Sequence, residues 1–254
     1  MTSAPHRANG FFAGLATVAR RELGATFDSS VAYVFTIGFL LLANSIFMND
    51  FFLTGRVDMS GFFELLPLLL PFFLAASTMR LWAEERRVHT DEFLLTLPIT
   101  PLQAVLGKFV AAFALYAVFV AGTLPIPLML NVLGRPDGGL ILGGYLGLIG
   151  LGALLTSLGL CLSSLSSDQV TAFVLTASVG IALVLLGDPR VVAVVDGLAP
   201  SLSLGTLLAE RVSARRPYDA LTGGTLAPSA LVYFGGLSAV LLWINAAAVE
   251  RNRS

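Results

Sequence analysis

The sequence predicts an all-α, polytopic membrane protein with six transmembrane helices. Charge is scarce: only 12% of the 254 residues are Asp, Glu, Lys or Arg, where a water-soluble domain holds about 25%. Hydrophobic residues make up 56% of the chain and mean hydropathy is +0.84. The apolar residues also gather into windows at 31–48, 62–81, 105–130, 140–165, 170–187 and 229–249, each near the roughly 20 residues that cross a bilayer core as a helix. These windows take up so much of the chain that residues 1–254 read as one membrane domain with short connections.

The elements follow in order. Before the first span, Phe11, Leu15, Ala19, Leu23 and Phe27 recur at spacing four, with Arg20, Arg21, Glu22 and Asp28 off that stripe. This is the pattern of an interfacial helix over residues 10–28. It does not read as a secretory leader, because the apolar run from Val31 exceeds a leader's apolar region of about 7–15 residues. The connection 49–61 is short and polar. Span 62–81 carries Pro67 and Pro71 four residues apart. Each removes a backbone donor, which is tolerated where neighbours cover the freed carbonyl. Glu64 lies near that span's outer end.

A polar island then runs from Arg80 to Thr100. Glu84, Glu85, Arg86, Arg87, Asp91 and Glu92 crowd into it, and an apolar knob of Phe93, Leu94, Leu95 and Leu97 follows. Bilayer insertion alone requires no such segment, and the knob reads as a handle for a soluble partner. Thr100-Pro101-Leu102-Gln103 supplies a capping Thr, a Pro at the first helical position and a Gln at the third, so the third helix should begin at Pro101. It passes Lys108 before entering lipid, and Pro125 and Pro127 break its far end. Residues 131–139 read as a turn.

The fourth span is rich in glycine. Gly143 and Gly147 form a small-xxx-small pair, read as packing within the subunit in preference to a dimer interface. Residues 163–169 make a tight turn. Residues 188–228 are too long for a turn, and Leu204, Leu207, Leu208 and Val212 predict a short surface-lying helix there. Asn44 and Asn245 are the main polar groups near span centres and read as glue between helices. Cys161, the only cysteine, excludes a disulfide framework within one chain and reads as a buried structural thiol. No internal repeat favours an inverted-repeat carrier.

Six spans put both termini on one side. That side would carry Arg7, Arg20, Arg21, Arg80, Arg86, Arg87, Lys108, Arg251 and Arg253. The other side would carry Arg56, Arg135, Arg190, Arg211, Arg215 and Arg216, the last three far from any span. The positive-inside rule places both termini and the island in the cytoplasm.

Several chemistries are missing. A net charge of −1 leaves no nucleic-acid footprint. Lys108 is the only lysine and precedes Phe109, so no phosphate-binding loop ends in it. His6 and His89 stand far apart, which excludes an HExxH metal site, and no serine sits in GxSxG. Asp168 and Asp188 lie at opposite ends of the fifth span, so they do not form an aspartyl pair. No ionisable group occupies a span centre, as an ion-coupled carrier would require. No cofactor is expected, and energy must come from elsewhere, or the protein does no work.

Met79–Phe109 resembles the loop between the second and third helices of ABC type-2 transporter permeases, most closely the gliding-motility-type permease subunits. Glu84, Glu85, Arg86, Arg87, Thr90, Glu92, Leu94, Leu95, Thr96, Leu97, Pro98, Gly107 and Lys108 match that pattern. Arg21-Glu22-Leu23 and Ala32-Tyr33-Val34-Phe35 look like the same family. Val88-His89 departs from it where a glycine is usual before the threonine. The resemblance implies a six-helix permease in the bacterial inner membrane, paired with a second permease chain, identical or different, and with a cytoplasmic ABC ATPase. The chain itself would be no enzyme, and export is the commoner direction. A short cytoplasmic coupling helix in this loop would seat in the ATPase, through Trp82, Glu84, Glu85, Arg86, Arg87, Thr90, Glu92, Phe93, Leu94, Leu95, Leu97 and Pro98. Phe93, Leu94 and Leu97 would be the apolar anchor and the charges its rim. A secondary carrier or channel without an ATPase is the alternative.

Overall fold

The computed structural model describes residues 5–87, 99–198, 203–225 and 227–251. Regular structure among them is helical throughout: α1 (Pro5–Phe27), α2 (Ser30–Thr54), α3 (Ser60–Thr78), α4 (Arg80–Arg87), α5 (Pro101–Ala121), α6 (Pro125–Leu133), α7 (Gly138–Leu165), α8 (Gln169–Leu185), α9 (Pro189–Leu198), α10 (Leu204–Arg211), α11 (Arg215–Thr222) and α12 (Pro228–Arg251). Five units are long and apolar enough to cross a membrane: α2, α3 with α4, α5 with α6, α7 and α12. The sixth is a bent pair. Helix α8 has 17 residues, about 25 Å at 1.5 Å per residue, which falls short of a core of about 30 Å. It is followed by Pro189–Gly197 at a bend of 89°. The chain is therefore a multi-pass, all-α membrane protein. The end of the bundle carrying α1, α4 and the last turn of α12 is its base, and the end carrying α9 to α11 is its crown.

Helix α7 is the central post, packed against α3, α5, α8, α11 and α12. Its small residues let each neighbour close in. A methyl group at Gly143 would collide with the carbonyl of Leu221 in α11, and one at Gly152 would enter the ring of Tyr116 in α5. Gly147 faces Tyr218 of α11, so the Gly143–Gly147 pair packs within the chain, as expected. Tyr116 Oη donates to the Leu148 carbonyl at 2.6 Å. Phe39, Phe47, Phe62, Leu74, Phe119 and Leu151 fill the core around this post. Helix α2 stands apart. It buries one stripe, Ala32, Phe39, Ala43 and Phe47, and exposes Tyr33, Val34, Ile37 and Leu41, as a lipid-facing span does.

The proline expectations are met in detail. Pro67 and Pro71 lie inside α3 and both are buried. Pro67 has no N–H for the carbonyl of Phe63, four residues earlier. Tyr218 Oη donates to that carbonyl at 2.8 Å, and Arg215 Nη1 reaches the adjacent Glu64 carbonyl at 3.4 Å. Pro125 opens α6 after a break at Gly122–Leu124.

The surface-lying helix expected at Leu204, Leu207, Leu208 and Val212 is α10, Leu204–Arg211, with Leu204, Leu207 and Val212 exposed. Two further short helices flank it, α9 and α11, and α11 buries Tyr218 and Leu221 against α7. Hydrogen bonding to the proline-freed carbonyl draws it inward. Two expectations are corrected. Among the described residues Asn44 bridges no helices, and its Nδ2 donates to the Leu40 carbonyl of its own helix at 2.7 Å. Asn245 is fully buried with no hydrogen-bond partner among the described residues, so it is not glue either.

Candidate functional site

The polar island begins as α4, which continues α3 past Met79. A short helix needs its first N–H groups satisfied, and here a neighbouring helix does this. Ser163 Oγ, near the end of α7, accepts from the Trp82 and Ala83 amides, both at 3.2 Å, and donates to the Met79 carbonyl at 3.0 Å. The far side of the island is pinned equally well. Thr100 and Gln103 form the expected capping box: Thr100 N donates to Gln103 Oε1 at 2.7 Å, and Gln103 N donates to Thr100 Oγ1 at 3.3 Å. Gln103 Nε2 also donates to the Phe11 carbonyl at 3.0 Å, fastening α5 to α1. One turn on, Gly107 lets Val18 approach where any side chain would collide.

At this junction lies a buried ionic cluster. Lys108 is 1% exposed, yet all three of its ammonium donors are used. Nζ donates to Glu22 Oε1 at 3.1 Å, to Glu85 Oε1 at 2.8 Å and to the Leu81 carbonyl at 2.8 Å. Arg21 Nη2 donates to the same two carboxylates at 2.6 and 2.9 Å. The Trp82 ring lies 4.8 Å from Nζ, within cation–π range. Two cations and two carboxylates thus balance across α1, α4 and α5. Burial opposes the charge of Glu22, but Lys108 and Arg21 outweigh it and hold its carboxyl below the usual Glu value.

The structure places the expected coupling residues in two groups. Trp82, Glu84, Glu85, Arg86 and Arg87 lie on α4, whereas Thr90, Glu92, Phe93, Leu94, Leu95, Leu97 and Pro98 fall outside the described residues. Within α4, Trp82 is buried and Glu85 points inward to Lys108. Arg87 is exposed and Glu84 half-exposed. Two site residues depart from the sequence expectation. Glu22, off the apolar stripe of α1, is nonetheless buried, and Lys108 is held by Glu22 and Glu85 inside the bundle. The signal was present: the only lysine follows a glycine in an otherwise apolar helix, with Glu22 and Glu85 in segments expected on the same side.

Helix α4, which precedes residues 88–98 in the chain, is fixed to α1, α5 and α7 by charge and hydrogen bonds. Residues 57–246 match the family described as ABC-2 family transporter protein. No curated protein matches the chain.

Proposed function

The chain belongs to the ABC-2 transporter family, and on that premise we propose that it is the permease subunit of an ATP-driven exporter in the bacterial inner membrane. The family implies association with an ABC ATPase. We place the docking surface in the segment from Trp82 to Pro98. Glu84, Arg86, Arg87, Thr90 and Glu92 form the rim, and Phe93, Leu94, Leu95, Leu97 and Pro98 form the apolar anchor. Trp82 and Glu85 act behind it, holding α4 to the bundle. Both termini face the cytoplasm in this reading, and a second permease chain, identical or different, completes the pore. The resemblance of the island favours the gliding-motility-type subfamily.

The buried Lys108 cluster carries this reading. A charge-paired joint is costly to bury and has no packing need at a bundle end. It sits where a push on residues 88–98 would reach α1, α4 and α5 together. Nucleotide-driven closure of the ATPases would then tilt these helices as one unit.

Affinity purification of the tagged chain from its own membranes tests the proposal. An ABC ATPase should co-purify, and the chain alone should hydrolyse no ATP above background. Robust hydrolysis by a preparation free of any ATPase subunit would refute the permease role.

A further inference from the structure

A cavity of about 380 Å³ opens at the base beside the ionic cluster. Its lining joins charged side chains, Arg21, Arg80 and Glu84 among them, to apolar ones, Val31, Phe35 and Leu115. It lies where α1 hands over to α2 at Asp28–Ser29, so its charged residues are level with the membrane interface and its apolar ones with the hydrocarbon. That is the order of polarity along a lipid.

The charges select among lipids. The lining carries Arg21, Arg80 and Lys108 against Glu22, Glu84 and Glu85, which leaves no net charge and favours a neutral, zwitterionic occupant over an anionic one. A guanidinium has five N–H donors. Among the described residues Arg21 spends only Nη2 on protein partners, and Arg80 only Nε and Nη1. Glu84 accepts from Arg80 through Oε2, which leaves Oε1 for a cationic donor. The volume is at the lower end of the range of about 300–1,000 Å³ for small-molecule sites, sized for a head group and the start of one chain.

We propose that this cavity binds a membrane phospholipid whose head group carries a primary ammonium. The phosphate rests on Arg21 and Arg80, the ammonium donates to Glu84, and one acyl chain runs along Val31, Phe35 and Leu115. The occupant fills the wedge between α1, α2 and α4. This inference rests on the chain's membrane location and needs no ATPase, so its failure would leave the permease reading standing.

Delipidated full-length protein in detergent, titrated with lipids and read by native mass spectrometry, tests it. Phosphatidylethanolamine should bind about tenfold more tightly than phosphatidylcholine, which has no N–H for Glu84, or phosphatidylglycerol, which is anionic. Glu84→Gln should erase the preference over phosphatidylcholine. Arg80→Gln should weaken both lipids by about tenfold. Both side chains are partly exposed, so the variants should fold. Equal binding of the three lipids, a preference for phosphatidylglycerol, or unchanged selectivity in Glu84→Gln would overturn the assignment. Glycerophosphoethanolamine, which lacks acyl chains, should not compete at equal concentration. If it does, the site takes a soluble phosphoamine and the lipid assignment fails.

Discussion

Lys108 holds the base together through partners that lie far from it in sequence. Removing Lys108 leaves Glu22 and Glu85 facing each other with only the half-exposed Arg21 to share, and breaking a buried ion pair costs about 3–5 kcal/mol. Lys108→Met should therefore lower stability by about that amount, measured by thermal unfolding in detergent. Adding Glu22→Gln and Glu85→Gln to that variant should recover a large part of the loss, because the orphaned carboxylates are then gone. Recovery by neither addition would show that the lysine acts through packing alone. The depressed carboxyl of Glu22 adds a pH dependence. A group whose folded pKa lies below its unfolded value stabilises at neutral pH, and that contribution is lost as pH falls through the folded pKa. The stability gap between wild type and Glu22→Gln should persist at pH 7 and shrink as pH falls below the ordinary Glu value of about 4.3. A gap that stays constant down to about pH 3 would contradict the pairing.

At the level of elements, the Tyr218 hydroxyl ties the crown to α3 by compensating one proline. Tyr218→Phe leaves the Phe63 carbonyl buried without a donor, a loss of about 1–3 kcal/mol. With Pro67→Ala the α3 backbone regains its own N–H, so Tyr218→Phe should then cost much less. A double-mutant cycle by thermal unfolding measures the difference, and additive effects would contradict the compensation. At the base, Thr100→Ala should cost about 1 kcal/mol through loss of the capping box. These two junctions show what was legible beforehand. Thr100, Pro101 and Gln103 are neighbours whose hydrogen bonds follow from helix geometry, so the start of α5 could be read residue by residue. Pro67 announced a freed carbonyl, but its partner lies 155 residues away, and no local pattern names it. The same holds for Glu22 and Lys108, 86 residues apart: interfacial amphipathicity put Glu22 on the wet face, and only the close approach at Gly107 turned it inward. The spans themselves were legible because the hydrocarbon core imposes their length. The fifth window, 170–187, likewise coincides with α8, Gln169–Leu185, whereas the short helices α9 and α11 after it follow no local pattern that names them.

For the whole molecule, fold and family agree on a multi-pass permease, and what remains to be shown is the joint that drives it. The positive-inside count predicts that cysteines at Ser3 and Arg253, with Cys161 removed, resist an impermeant thiol reagent in intact cells while one at Asp137 reacts. Labelling at Ser3 without labelling at Asp137 would invert the orientation. The central claim is that the apolar knob seats in the ATPase and that α4 carries its motion into the bundle. Pull-down of the ATPase by wild type, Phe93→Ala and Arg87→Gln, at matched expression and two salt concentrations, tests it most directly. Truncating a central aromatic anchor costs about 2 kcal/mol or more, so Phe93→Ala should weaken association by about tenfold or more. Arg87→Gln should change it modestly, and chiefly at low salt. Wild-type association by Phe93→Ala together with loss of association by Arg87→Gln would contradict the claim and place the coupling in charge alone.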